Sequence, residues 1–228
     1  VITEYGTCSQ TGADAVRLWN ISGSGLSASG HYLPGSLQRM TVKNEDWVSG
    51  RNGTADTYTD LDGRVILERR WVSVGSEDSA LDTYYVYDDL GRLRYVLPPM
   101  LSASVAAKSS VSIDDPDMLR YGYFYRYDDN GDCIWKRLPG CSPVVMKYDR
   151  WHRLVLSQDG NQDAKGEWTF FFYDNLGRQA VSGTGPLPYT GETNGTEFKA
   201  RYTGEGSAGG YELSIPLPAA SDILKICY

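Results

Sequence analysis

Histidine is nearly absent from this chain: its 228 residues include only His31 and His152. General-base and triad chemistry usually draws on a histidine. Both of these have plainer readings, His31 in the loop-like SASGHYLPG and His152 inside a tight turn. No glycine-rich dinucleotide loop follows a strand-like run, and neither a Walker phosphate loop nor a GxSxG elbow is present. No apolar run approaches the ~18 residues needed to cross a bilayer. The first residues lack the charged start and apolar stretch of a signal peptide, so no leader is expected within the sequence. Basic residues do not cluster, and 22 Lys and Arg against 29 Asp and Glu leave a formal charge of −7. That balance argues against a nucleic-acid partner.

Cysteine is sparse as well. Cys8, Cys133, Cys141 and Cys227 permit three pairings, but there is no CxxC and no Cys/His cluster to suggest zinc. Cys133 and Cys141 sit at opposite ends of an expected strand, which separates them by about 15 to 20 Å, beyond the ~7 Å limit for a disulfide. Free thiols are expected at both. A sustained helical stripe is also missing; the one helix signal is DDPDMLR, where Asp115 can cap a short helix with Pro116 in its first turn.

What the chain has instead is glycine, tyrosine and a recurrent turn, with 25 Gly and 17 Tyr. The pattern Asp, two variable residues, Gly, Arg occurs at Asp60–Arg64, Asp88–Arg92 and Asp174–Arg178. Two altered copies stand at Asp128–Asp132, where Asp replaces Arg, and Asp149–Arg153, where His152 replaces Gly. Tyr87, Tyr127, Tyr148 and Tyr173 immediately precede the last four. Successive Asp residues lie 28, 40, 21 and 25 apart, so one unit recurs with variable inserts. The Ser-, Ala- and Val-rich stretch 102–112 is the insert that lengthens the second spacing.

In YDDLGRL, Asp88 suits the first position of a type I turn and Gly91 the following left-handed position, which describes a three-residue hairpin loop with a glycine bulge. Asp60, Asp128, Asp149 and Asp174, with Gly63, Gly131, His152 and Gly177, take the same places. His152 is tolerable because histidine is enriched at left-handed positions. Asp88 should face Arg92 across the strands, as Arg64, Arg153 and Arg178 face their own Asp, while Tyr87 meets Leu93 on the other face. Asp132 would face Asp128, a like-charge pair that costs stability unless solvated or bridged.

Carrying the alternation outward predicts one apolar face made of Tyr85, Tyr87, Leu93 and Tyr95; then Tyr125, Tyr127, Cys133 and Trp135; then Met146, Tyr148, Leu154 and Leu156; then Phe171, Tyr173, Gln179 and Val181. The expected fold is mostly β: an array of antiparallel hairpins in an extended, curved sheet, with little helix. Residues 1–57 read as a lead-in of irregular or edge strands, 58–183 as the hairpin array, and 184–228 as a Gly/Pro-rich connector with one or more strands. Pro216 and Pro218 assign LSIPLP to an edge or connector.

These residues resemble the YD repeat of the Rhs family, which runs Tyr, Asp, two variable residues, Gly, Arg and an aliphatic. YDDLGRL and YDNLGRQ match most closely, and LPG at Leu138–Gly140 with the LSQDGNQ and KGEWTF stretches looks like Rhs-type proteins of Bacteroides-like bacteria. The resemblance covers roughly residues 58 to 183. It implies a noncatalytic scaffold, one segment of a shell that encloses or presents a toxin or other passenger, with neighbouring repeats and that passenger as partners. It also implies a bacterial, secreted or cell-surface setting. The final LKICY ends where a further strand would start, so an excised piece of a longer protein is expected. An array with open edges should self-associate or be capped.

The residues admit three other readings. Sugar binding is the main alternative, with Trp47, Trp151 and Trp168 as candidate stacking platforms; Trp151, at the third position of its turn, should project outward and is the candidate ligand contact. Glycoside cleavage is the second, although the repeated Asp residues already have a turn to build. For calcium, Asp128, Asn130 and Asp132 are the candidate ligands, since a cation would relieve their repulsion; DGNQD at Asp159–Asp163 is read as a polar hairpin turn. Neither has the Gly and Glu positions of an EF-hand loop. No cofactor is expected.

Overall fold

Three insertions into a simple up-and-down meander pack against the sheet. In a computed structural model describing residues 2–75, 77–186, 198–205, 208–215 and 223–226, the strands are β1 (Ile2–Thr7), β2 (Arg17–Ser22), β3 (Gly25–His31), β4 (Gln38–Lys43), β5 (Thr54–Thr59), β6 (Val65–Val74), β7 (Glu77–Tyr87) and β8 (Leu93–Leu97). Helix α1 (Pro99–Ser104), β9 (Ser110–Ser112) and α2 (Pro116–Tyr121) follow, then β10 (Tyr123–Tyr127), β11 (Cys133–Arg137), β12 (Val144–Tyr148) and β13 (Leu154–Gln158). Last come α3 (Gly160–Lys165), β14 (Trp168–Tyr173), β15 (Gln179–Gly185), β16 (Ala200–Tyr202), β17 (Tyr211–Leu213) and β18 (Ile223–Ile226).

Thirteen strands form one open antiparallel sheet in the order β1-β4-β5-β6-β7-β8-β10-β11-β12-β13-β14-β15-β18. The three skips in that order mark the insertions. β2 and β3 join β9 in a three-stranded sheet, α1 and α2 accompany β9, and β16 pairs with β17. A sheet with one apolar face must bury that face against something, and these insertions do so.

The chain divides into two compact units, residues 1–124 with 138–140, and residues 125–137 with 141–228. The division falls within β10. In the first unit Tyr58, Leu67, Tyr84, Val86, Tyr95, Leu97 and Phe124 are buried on the main sheet, and Trp19, Leu26, Leu101, Val111 and Met118 are buried in the covering elements. Tyr95 and Phe124 meet edge to face, 5.6 Å between centroids. In the second, Leu156, Phe170, Phe172 and Val181 form one cluster with Phe198, Ala200, Ala208 and Tyr211.

The buried face departs from the alternation expected from sequence. Tyr87 pairs with Leu93, but Val86 pairs with Tyr95, because the outgoing strand carries one extra residue. The same shift occurs between Tyr58 and Thr59, Lys147 and Tyr148, and Phe172 and Tyr173. A bulge inverts the alternation of every residue beyond it. Tyr85 and Tyr87 therefore do not share a face with Tyr95, and Phe170 and Phe172, rather than Phe171 and Tyr173, line the core beside Val181. Tyr173 is packed only against the rim of that cluster.

Two further local readings change. DGNQD is a helix start: the Asp159 carboxylate accepts the N–H groups of Asn161 and Gln162, and the Gln162 side-chain oxygen accepts the Asp159 N–H, a capping box for α3. Residues 1–57 hold four regular strands and the start of β5, and β1 forms one edge of the large sheet. Asp115 caps α2 by accepting the Asp117 N–H, with Pro116 first in the helix. Cys133 and Cys141 are free, as is the buried Cys8; Cys227, Pro216 and Pro218 lie outside the described residues.

Candidate functional site

The five turns share one hydrogen-bond scheme. The Asp N–H donates to the carbonyl of the fifth residue at 2.9–3.0 Å, and the fourth residue returns its N–H to the Asp carbonyl at 2.8–3.1 Å, for Asp60, Asp88, Asp128, Asp149 and Asp174 alike. The fourth residue is left-handed each time, with φ of +82° at Gly63, +74° at Gly91, +89° at Gly131, +61° at His152 and +78° at Gly177. At His152 a Cβ is carried at that angle, which is the strained case.

The Asp side chain holds its own turn as well as its Arg. Oδ1 of Asp88 accepts the N–H groups of Leu90 and Arg92 at 3.1 and 2.9 Å, and Oδ2 accepts Nε of Arg92 at 2.9 Å. Asp60 with Arg64 and Asp174 with Arg178 repeat this bonding, Nε to Oδ2 being 2.7 Å in both. Asp149 adds a second bond from Arg153, 2.6 Å from its Nη2. Asp128 keeps the backbone half, from Asn130 and Asp132. Burial opposes ionisation of Asp88 and Asp174, but the bonds from backbone and guanidinium outweigh it and hold both carboxyls below their usual 3.8.

The sequence did not disclose what the tyrosine before each Asp is for. Tyr87 donates its hydroxyl to the Val65 carbonyl at 3.0 Å and lies under the Arg64 guanidinium, 5.7 Å from ring centre to Cζ. Tyr173 does the same one unit pair later, with 2.7 Å to the Leu154 carbonyl and 4.4 Å to Arg153. Each tyrosine thus binds the residue that follows the arginine of the preceding turn and supports that arginine. Burial raises the ionisation of both phenols above their usual 10. Tyr148 follows the turn that lacks Arg, and its hydroxyl meets Met146 Sδ at 3.8 Å instead. Tyr127 is half-buried at the end of β10.

The two departures from the motif touch each other. Nδ1 of His152 lies 2.9 Å from Oδ2 of Asp132. Asp132 therefore points to the next turn, away from a clash with Asp128. Two of the three acidic-turn candidates for calcium are accordingly engaged, Asp128 by two amides and Asp132 by His152. Among the described residues no group of three or more His, Cys, Asp or Glu is placed to hold a metal.

The candidate sugar platforms each carry a cation. Trp47 lies under Lys43 at 3.8 Å and Trp168 near Lys147 at 5.6 Å. Trp151 remains 45% exposed, flanked by Arg150, Arg153 and Lys199 at 4.1, 4.7 and 5.4 Å. His31 is exposed at the end of β3, opposite Arg17.

A second polar constellation went unread because its members look like ordinary surface residues one at a time. Asp14 is bonded by Arg39 and Arg51, 2.6 and 3.0 Å away, which outweighs its burial and lowers its ionisation. Arg69 clamps Asp82 through two 2.6 Å bonds and also donates to the carbonyls of Ala13 and Ala15. Buried Asp56 accepts from Thr41 and from the Trp71 indole. These groups pin residues 13–15 onto the sheet.

No protein-family model and no curated protein matches this chain. Solved structures do. The fold is similar to part of the TcdB2-TccC3 chain. The crystal structure of TcdB2-TccC3 without its hypervariable C-terminal region matches with a TM-score of 0.50 at 14% identity, over 67% of this chain and 7% of that one. The Photorhabdus luminescens Tc holotoxin pore matches over 77% of this chain and 8% of that one, at 14% identity and a TM-score of 0.46. The chain thus spans less than a tenth of the structures it resembles. The likeness is one of open antiparallel β architecture. Among the described residues, no helix is long and apolar enough to cross a membrane.

Proposed function

We propose that this chain is a noncatalytic structural segment, a stretch of YD-repeat wall that in its parent protein encloses or presents another polypeptide. The observation that carries this reading is where the repeated aspartates spend their oxygens. Four of the five hold their own turn amides with one oxygen and their own arginine with the other, so the motif makes register and rigidity rather than a reactive group. Tyrosines bonded to the preceding strand stitch one hairpin to the next. The fold likeness to TcdB2-TccC3 supports the same reading at the level of architecture. A bacterial, secreted or cell-surface setting belongs to the proposal.

The test uses the parent protein. Substituting Asp88 and Asp149 by Ala together should loosen the wall and expose an enclosed segment to protease, while the native parent protects it. Equal cleavage of that segment in both proteins would refute enclosure. Sugar binding is the second reading, favoured by the exposed face of Trp151. A glycan array that detects binding, and loses it in Trp151→Ala with folding intact, would favour it; a blank array would remove it.

A further inference from the structure

The hairpin β6–β7 is longer than its neighbours, and that leaves a strand edge inside the sheet with no partner strand among the described residues. β7 begins at Glu77, whereas its ladder with β8 begins only at Tyr84, paired with Leu97. The direction of the unpaired groups follows from one bond: Asp88 N–H donates to Arg92, so Asp88 faces β8. Backbone groups alternate sides along a strand, which turns the N–H and C=O of Asp78, Ala80 and Asp82 to the same side. There the strand lies beyond the end of β8. Towards β6 the strand is fully paired, Ala80 opposite Trp71 and Asp78 opposite Ser73.

Beside this edge lies a cavity of about 350 Å³ lined by Ala80, Asp82, Trp19, Pro99 and Ala103, together with Arg17, whose guanidinium is engaged by the Ala106 and Lys108 carbonyls, and Arg69, which holds Asp82. Ala80 is the only one of the three outward residues with a methyl for a side chain, and it opens onto that space. From Glu77 to Thr83 the strand carries three carboxylates and no cation. Asp82 is already held by Arg69, whereas among the described residues the Asp78 carboxylate meets only the Arg51 N–H, at 3.3 Å. Bare edges are templates for strand addition, with main-chain bonds giving affinity and alternate side-chain pockets giving specificity.

We propose that Glu77–Thr83 is a docking edge for an extended basic peptide, which adds to β7 as an extra strand. The charge of the edge and the depth of the cavity set the pattern. A bulky apolar side chain opposite Ala80 enters the cavity, and a Lys or Arg two positions away, opposite Asp78, pairs with that carboxylate. This edge belongs to the chain itself, whether or not the chain is part of a wall.

The probe is an acetylated seven-residue peptide of β-branched residues with Phe at its centre and Lys two positions to one side. Amide NMR of the labelled chain should show shifts and slowed hydrogen exchange at Asp78, Ala80 and Asp82, and not at Ser79 and Leu81, whose groups face β6. Replacing the Lys by Glu should weaken binding about 2- to 5-fold, the scale of one cross-strand charge pair. N-methylation of the alternate peptide amides that face β7 should abolish binding, and N-methylation of the other set should leave it. Ala80→Pro removes one outward N–H and none shared with β6, and should also abolish binding. Absence of shifts at millimolar peptide, or binding indifferent to which amides are methylated, overturns the proposal.

Discussion

Nδ1 of His152 lies 2.9 Å from Oδ2 of Asp132, so the two residues that break the repeat do so together. One turn loses the arginine that the next tyrosine would have supported, and the next turn gains a side chain that reaches back to the replacement. His152 is the sole non-glycine residue with positive φ among the described residues, and this bond is what its strained position supports.

A double-mutant cycle tests that coupling. Asp132→Asn and His152→Gly should show an interaction of about 0.5 to 1 kcal/mol in urea unfolding, the range for an exposed pair. His152→Gly should be close to neutral by itself, because relief of the left-handed strain offsets the lost bond. Strict additivity of the two changes would mean that the contact does not stabilise the fold.

The same Asp–Arg pair should matter very differently in two turns. Asp149 is 5% exposed, so Arg153→Ala leaves a buried carboxylate without its counter-ion and should cost about 3 to 5 kcal/mol. The Arg178 side chain is 73% exposed, and Arg178→Ala should cost at most ~1 kcal/mol. Tyr173→Phe, which removes only the hydroxyl bonded to Leu154, should cost about 0.5 to 1.5 kcal/mol. Chemical denaturation of the three variants checks the order; equal losses for Arg153 and Arg178 would remove burial as the cause.

The bulge makes a prediction opposite to simple alternation. Phe172 is fully buried, and Phe172→Ala should cost about 3 to 5 kcal/mol. Phe171 is only half-buried, and Phe171→Ala should cost clearly less. Reversed values, from thermal or urea unfolding, would place the core on the other face of β14.

Stability should fall at both ends of the pH scale for different reasons. Asp14, Asp88, Asp115 and Asp174 ionise below the usual 3.8 in the fold; burial is outweighed by hydrogen bonds in three of them, and the Lys108 bond leads at Asp115. A depressed carboxyl contributes stability that is complete above its unfolded value and is lost as pH drops through the folded one. Unfolding midpoints should therefore decline below about pH 4, and Asp88→Asn should flatten that decline. Burial pushes the Tyr58 and Tyr84 phenols up to about 12. Their contribution is complete below the usual 10 and is lost as pH rises towards 12. A midpoint that stays level between pH 5 and pH 3 would contradict the carboxylate assignment.

Much of this protein was set by local sequence. The Asp-x-x-Gly-Arg spacing alone specifies a three-residue loop with a left-handed fourth position, because few other residues tolerate that backbone, and five such loops specify an antiparallel array. Asp115 before Pro116 similarly marks a helix start. Register beyond the turn was not legible, since one bulged residue after each arginine inverts the faces, and a period-two pattern carries no record of where the extra residue falls. Nor could the sequence reveal that Tyr87 and Tyr173 reach back to Val65 and Leu154, that Asp132 meets His152, or that Arg69 gathers Asp82 with residues 13 and 15. Those partners lie from 13 to 56 positions apart, and only packing one hairpin on the next brings them within bonding distance. Turn chemistry is a property of five neighbouring residues, whereas the stitching of turns belongs to the sheet.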